Sequence, residues 1–325
     1  MKKIIAQAIL VVIITCLFVL LFLYGSLHLI YHSDNEKTKE ILTLSLLETS
    51  AAKFVPTLFL TQDTIVDIVE RNSITYQDVK TDENLIEVEY EGNEEIQVVE
   101  ISGATYKGRM MIINDPSRVY LATPDTGFGG SSAGLTVAEY VERDHAVAGI
   151  NAGGFEDKNG RGNGSVPSGY VIENSEITYG DRHDVDCVTG FDSNYKLIVG
   201  KMSAEEALNQ GIVNGLCFNL SGIGPLIMNG EPIAIDGTGG GLNPRTAIGQ
   251  RGDGTIILLN IDGRQAHSIG ASYHDIIEIF LEQGVVNASN LDGGSSAMMI
   301  YQGEVLSVSS SLVGVRQLPT AFLVK

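Results

Sequence analysis

Lys2 and Lys3 precede thirty residues, Ile4 to Ser33, without one Asp, Glu, Lys or Arg. About twenty apolar residues cross a bilayer. A cleaved signal peptide has a shorter apolar core and a small-residue cleavage site. This run is longer and no Ala-x-Ala follows it, so it reads as a retained single-pass anchor. The lysines lie before the span and Asp34 and Glu36 after it, which predicts a cytoplasmic N-terminus and an extracellular remainder. Cys16 sits inside the span, and Thr15 before it does not fit a lipoprotein cleavage site.

The anchor divides the charge. All 40 acidic residues follow it, as do all of the 21 basic ones except Lys2 and Lys3. Nucleic acid binding rests on Lys and Arg neutralising phosphates, so a partner of that kind is disfavoured. The roughly 290 residues outside can bury one sizeable core. Cys187 and Cys217 are the two cysteines beyond the span. They read equally well as a disulfide or as buried thiols.

Three parts follow from periodicity. Residues 1–31 form the cytoplasmic tip and transmembrane anchor. Residues 32–84 read as a helical membrane-proximal stalk, with helices at Glu40–Ala52 and Thr64–Arg71 and a break at Pro56. Residues 85–325 form the catalytic-domain candidate. There the pattern switches to β-branched alternation at Leu85–Tyr90, Ile96–Ile101, Arg109–Ile113 and Arg118–Ala122.

Two segments share a grammar. One runs strand (Val119–Ala122), glycine loop, helix (Thr136–Arg143), strand (Ala146–Ile150), then Asn151-Ala152-Gly153-Gly154. The other runs strand (Ile256–Ile261), Asp262-Gly263-Arg264, helix (Tyr273–Gln283), strand (Val285–Leu291), then Asp292-Gly293-Gly294-Ser295-Ser296. Each reads as a βαβ unit, whose crossover makes its strands parallel. Ligands collect at the carboxyl ends of such strands. Asp262 and Asp292 are thus expected on one rim, with Asn151 at the matching position. The expected fold is α+β: a mixed sheet with parallel βαβ segments and antiparallel hairpins, preceded by an N-terminal transmembrane helix.

Glycines after Asp292 let backbone amides approach a ligand, although Asp-Gly is also a common turn. Arg245, Arg264 and Arg316 each stand beside a turn adjoining these strands. A guanidinium grips carboxylate or phosphate through two donors, so three in so acidic a chain point to an anion. Structural pairing with Asp262 or Asp292 is the alternative for each one.

Other signals carry less. Gly130-Ser131-Ser132-Ala133-Gly134 matches a nucleophile elbow in letters only, because Pro124–Gly129 separate it from the strand. Asp157-Lys158-Asn159-Gly160-Arg161 resembles the start of a calcium loop, but Arg161 takes a ligand position and no Glu closes it, so a flexible loop is expected. His145, His183, His267 and His274 lack metal-ligand spacing. A cation shared by Asp262 and Asp292 would be Ca²⁺ or Mg²⁺, and the sequence marks no other cofactor.

Five runs occur in order: Ala148-Gly149-Ile150-Asn151-Ala152-Gly153-Gly154-Phe155, Asn243-Pro244-Arg245-Thr246-Ala247-Ile248-Gly249, Asp262-Gly263-Arg264, Asn290 to Ser296, and Arg316-Gln317-Leu318-Pro319-Thr320-Ala321. Together they resemble the phosphodiester glycosidase family from about Gly103 to Lys325. The Asn-Ala-Gly-Gly-Phe run is longer than the family's common form. The resemblance implies hydrolysis of a sugar-1-phosphodiester to free sugar and phosphate monoester, with a carbohydrate phosphodiester as substrate. In that light Asp292 is the carboxylate at the sugar carbon, as nucleophile, base or orienting group. Asp262 orients water, sugar or an arginine. Arg245 grips phosphate, supported by Arg316 or Arg264. Gly293, Gly294, Ser295 and Ser296 supply amides and hydroxyls, and Asn151, Gly153 and Gly154 line the sugar side. A glycan-binding module without turnover and a phosphodiesterase cleaving P–O remain as other readings.

Overall fold

The structure, a computed structural model, describes all residues except 1, 50, 76–79, 89–94, 131, 158–161, 218–223 and 312–313. The chain opens with helix α1 (Lys2–Tyr31). Asn35 then caps α2 (Glu36–Leu47) by accepting from the Thr38 amide. That helix starts earlier and stops sooner than periodicity suggested. Pro56 does break the region, as a 3-10 turn over Val55–Leu58. Helix α3 (Gln62–Arg71) and the short strand β1 (Ile74–Thr75) follow.

Strands β2 (Ile96–Ser102), β3 (Lys107–Ile113) and β4 (Val119–Ala122) precede α4 (Val137–Asp144) and β5 (Ala148–Asn151). Then come β6 (Val171–Glu173), β7 (Glu176–Tyr179), β8 (Val185–Phe191), β9 (Leu197–Ser203), α5 (Ala204–Asn209) and β10 (Asn214–Cys217). The last third holds β11 (Pro225–Met228), β12 (Glu231–Pro232), β13 (Ala234–Ile235), β14 (Arg245–Arg251) and β15 (Ile256–Ile261). It continues with α6 (Tyr273–Glu282), β16 (Val285–Asn290), β17 (Met299–Tyr301), β18 (Glu304–Val305) and β19 (Ala321–Val324). The strand expected at Leu85–Tyr90 does not form over its described part. Glu83–Leu85 is a 3-10 turn, and Glu89 and Tyr90 lie outside the described residues.

Three larger sheets are present, ordered β12-β11-β16-β14-β15-β3-β2, β18-β17-β5-β19-β4 and β7-β6-β10-β8-β9. Every strand pair among the described residues is antiparallel, which corrects the expected parallel βαβ segments. The crossovers exist, but each skips a position. Strands β15 and β16 both pair antiparallel with β14 between them, so they run the same way without bonding each other. Likewise β4 and β5 flank β19. Periodicity reports which face of a strand is buried; it does not report which strand fills the gap.

The packing follows from alternation. In β15, Ile256 and Leu258 enter the core shared with β5 and β19, while Ile257, Leu259 and Ile261 meet Ile276 and Phe280 of α6. In β19, Phe322 and Val324 face that shared core, and Ala321 and Leu323 face Tyr140 and Val141 of α4. Strands buried on both faces read as continuous apolar runs. Each large aliphatic side chain so buried is worth about 1.5–3 kcal/mol. The result is two sheets face to face, each covered outside by a helix whose start is held by a capping box, Thr136 with Glu139 and Ser272 with Asp275.

The stretch between α1 and β2 packs against this body. The Ser45 hydroxyl accepts from Leu242 N, Asn72 Oδ1 accepts from Thr238, and β1 pairs with β13. Cys187 and Cys217 are buried and not joined by a disulfide. Cys217 faces Val188 in register, so Cys187 points to the other side of β8. Burial pushes the Cys217 thiol well up.

Candidate active site

The two sheets meet where β5, β15 and β16 end and where β14 and β19 begin. Asn290 lies opposite Ala247, Ile261 opposite Arg245, and Asn151 opposite Ala321. The Asp292 amide donates to Ala152 O at 2.8 Å, joining the rims. Asn151 is fully buried here. Its Nδ2 donates to the Asp292 carbonyl, and its Oδ1 accepts from Thr246 Oγ1 at 2.8 Å and Met298 N at 2.9 Å. It therefore fixes the backbone at Asp292, with both its amide nitrogen and its amide oxygen in hydrogen bonds.

The glycines after Asp292 have a steric cause. A Cβ on Gly293 would stand 2.7 Å from the Pro244 carbonyl oxygen. Gly294 adopts φ +58° and donates its amide to that same oxygen at 2.9 Å. The turn thus locks onto the segment carrying Arg245. Gly153 is crowded by Thr320 Oγ1, to which its amide donates at 2.8 Å, and the Gly154 carbonyl accepts from Ser168 N.

Burial pushes the Asp292 carboxyl up to about 7, against the pull of Ser296, Arg316 and the Gly293 amide, with Asp157 adding to the rise. Arg316 is nearly buried, stacked over the Phe155 ring at 5.2 Å. Its Nη2 pairs with Asp157 Oδ1 at 2.8 Å, and its Nη1 donates to Ser295 Oγ at 3.3 Å. Asp157 Oδ1 also accepts from Gly162 N at 2.6 Å. Asp157, passed over in the sequence as the start of a flexible loop, thus stands beside Asp292. Its only signal there was a carboxylate two residues after Asn-Ala-Gly-Gly-Phe; Lys158–Arg161 lie outside the described residues.

Arg245 is engaged at every nitrogen. Nε donates to Ala271 O, Nη2 to Gly241 O, and Nη1 to Tyr273 Oη at 2.6 Å, with Glu48 Oε2 at 2.9 Å. Its guanidinium lies 3.9 Å from the Tyr273 ring centre. Burial opposes its charge, and Glu48 and Tyr273 more than restore it. Glu48, at the end of α2, gave no signal in the sequence.

Arg264 sits at φ +56° and binds Asn243 Oδ1 through Nε and Nη2, at 3.3 and 2.9 Å. Its Nη2 also reaches the Glu48 carbonyl at 3.3 Å. Its guanidinium overhangs Gly294, where a Cβ would lie 3.4 Å from both terminal nitrogens. Burial lowers its pKa, Glu48 and Asp292 oppose that, and Arg245 adds to it.

Asp262 is turned elsewhere. Its Oδ1 accepts from Val308 N at 2.7 Å, and its Oδ2 lies 3.8 Å from both Arg109 and His267. No hydrogen bond or ion pair joins Asp262 to Asp292 among the described residues. No cluster of three metal-ligating side chains occurs among those residues either.

Fold and site define an antiparallel α+β protein with a desolvated carboxyl beside buried arginines. A phosphodiester glycosidase family model matches residues 144–325, and the chain belongs to that family. The SPbeta prophage-derived uncharacterized protein YomE of Bacillus subtilis is 31% identical over 196 residues, covering 57% of this chain and 29% of that protein. The N-acetylglucosamine-1-phosphodiester alpha-N-acetylglucosaminidase of Mus musculus is 30% identical over 238 residues, 66% of this chain and 43% of that enzyme. The chain thus matches less than half the length of these relatives. Among solved structures, the zebrafish N-acetylglucosamine-1-phosphodiester alpha-N-acetylglucosaminidase catalytic domain, auto-inhibited by its pro-peptide, shares the fold. Its TM-score is 0.54 at 21% identity, over 71% of this chain and 82% of that one.

Proposed function

We propose that the chain hydrolyses a sugar-1-phosphodiester at Asp292, N-acetylglucosamine-1-phosphodiester being the model substrate. The observation that carries this is the carboxyl itself: part-buried, titrating near 7, and flanked by Arg316, Ser295, Ser296 and the Gly293 amide. A general base or acid works best with a pKa near the working pH. A phosphate monoester leaves as an anion and needs little protonation, so the ionised form of Asp292 is the useful one. It draws the proton from water, the water oxygen bonds C1, and the C1–O electron pair departs with the phosphate. Arg264 and Arg316 bind that phosphate, while Ser295, Gly293 and Gly294 supply further donors. Arg245 and Asn151 hold the Pro244 and Asp292 segments in register. Asp262 holds the loop at Val308, and Gly153 and Gly154 shape the sugar side.

The relatives' names support the reaction class, and helix α1 supports the location. Lys3–Tyr31 is long and apolar enough to cross a membrane and packs no part of its apolar window inside the protein. We place the catalytic domain outside the cell, acting on surface polysaccharide or related glycan. The test is a panel of sugar-1-phosphodiesters in ¹⁸O water. Label in the sugar supports C–O cleavage; label in the phosphate means a phosphodiesterase; binding without release of sugar means a glycan-binding module.

A further inference from the structure

Phe54 precedes the 3-10 turn Val55–Leu58 and Leu58 ends it; they are 58% and 62% exposed. Two large apolar side chains this exposed on one ordered turn call for a partner. The turn is ordered: Pro56 is buried, Thr57 Oγ1 donates to Phe54 O at 2.6 Å, and Leu60 N donates to Pro56 O at 2.9 Å. Phe59 closes it against α1, with its ring 5.4 Å from Tyr24 and stacked 5.0 Å from Tyr31.

Helix geometry gives this contact a depth. A hydrocarbon core of about 30 Å takes about twenty residues at 1.5 Å each. Counted from Ile4, behind the lysines, it ends near Leu23. Tyr24 then stands at the lipid boundary, and Tyr24–Tyr31 cross the headgroup zone, where aromatic side chains are favoured. Phe59 touches both tyrosines, so the turn lies at that same level. We propose that the Phe54–Leu58 turn is a second membrane contact, a foot whose apolar side chains enter the headgroup region of the leaflet facing the catalytic domain. The inference rests on the reading that α1 spans the bilayer.

The foot bears on the site. Six residues join Phe54 to Glu48, whose carbonyl binds Arg264 and whose carboxylate binds Arg245. An extended chain covers at most about 3.6 Å per residue, so six steps put the site's edge within about 22 Å of the foot. Two points, α1 and the turn, then fix the tilt of the domain where one tether would leave it free.

The chain has no tryptophan, so single substitutions report without background. Full-length Phe54→Trp, Leu58→Trp, Leu21→Trp and Val185→Trp are placed in phosphatidylcholine–phosphatidylglycerol vesicles containing brominated lipid. The expected result is a blue shift and loss of most emission at residues 54 and 58 with bromine near the headgroup. Leu21→Trp, two residues inside the lipid boundary at Leu23, should be quenched by bromine on the upper acyl chain, and Val185→Trp by neither. Residues 54 and 58 behaving like 185 while 21 is quenched overturns the foot alone. Leu21→Trp unquenched overturns the spanning reading and the foot with it. A blue shift that follows protein concentration rather than lipid assigns the patch to a second copy and overturns the proposal.

Discussion

Asp262-Gly263 and Asp292-Gly293 end β15 and β16, strands that run the same way two positions apart in one sheet. The letters match and the surroundings do not. The Asp262 carboxylate receives the Val308 amide and faces Arg109 and His267, so it ties down a loop. The Asp292 carboxyl loses water, gains Ser296 and Arg316, and is opposed by Asp157. A strand end presents a carboxylate; the elements packed against it decide whether it is spent on structure or left to titrate.

The largest expected effect separates the two directly. Asp292→Asn should lower kcat/KM by about 10³-fold, within the range for removing a general base. Asp262→Ala should leave most turnover and cost about 1–3 kcal/mol in urea unfolding, because the Val308 amide loses its charged, part-buried acceptor. Equal losses of activity in both variants would erase the distinction.

The next test concerns a buried tie. Arg245→Met should destabilise by about 2–4 kcal/mol, since it strips Glu48 and Tyr273 of their cation, and Glu48 is only partly buried. Glu48→Gln should cost less, and thermal unfolding of the pair of variants would rank them.

Asp292 itself should be a site where stability is given up. Its folded pKa, about 7, lies above the ordinary 3.8. The folded state therefore binds the proton more tightly, so its contribution falls as pH rises from about 4 to about 7 and is flat beyond. At one pKa unit per 1.36 kcal/mol, Asp292→Asn should be more stable than the parent at pH 8 by about 2–4 kcal/mol. The gap should close toward pH 4. Denaturation at the two pH values checks the sign, and a gap that widens on acidification would refute it. Turnover by the parent should rise through about pH 7 as the base ionises.

The smallest effect sharpens the site's boundary. Asp157→Asn removes a like charge facing Asp292, so the acid limb of kcat/KM should move to lower pH by about half a unit, within the usual scale of neighbouring charges. A limb that stays put while KM rises would confine Asp157 to holding Arg316.

Much of the local structure was legible. Strand β15 coincides with its apolar run, α3, α4 and α6 start near their caps, and the hairpin between β14 and β15 turns at Gly252-Asp253-Gly254. Pairing was not legible, because β19 lies about 170 residues beyond β5 and enters between β4 and β5 only in three dimensions. Nor were Glu48 and Asp157 as neighbours of the arginines, for a helical period or a loop motif does not say which distant side chain each will meet.

The sequence by itself determined an apolar N-terminal helix, two strand–helix–strand crossovers ending in polar glycine turns, and the ordered runs that mark the family. Those are local properties, set by side-chain pattern and backbone permission. Tertiary structure alone decided that the crossovers straddle antiparallel partners, that Arg245 is consumed by Glu48 and Tyr273, and that of two aspartates at matching strand ends Asp262 is tied to the Val308 amide while burial raises the Asp292 carboxyl. Burial and charge depend on what packs against a group, and nothing local encodes that.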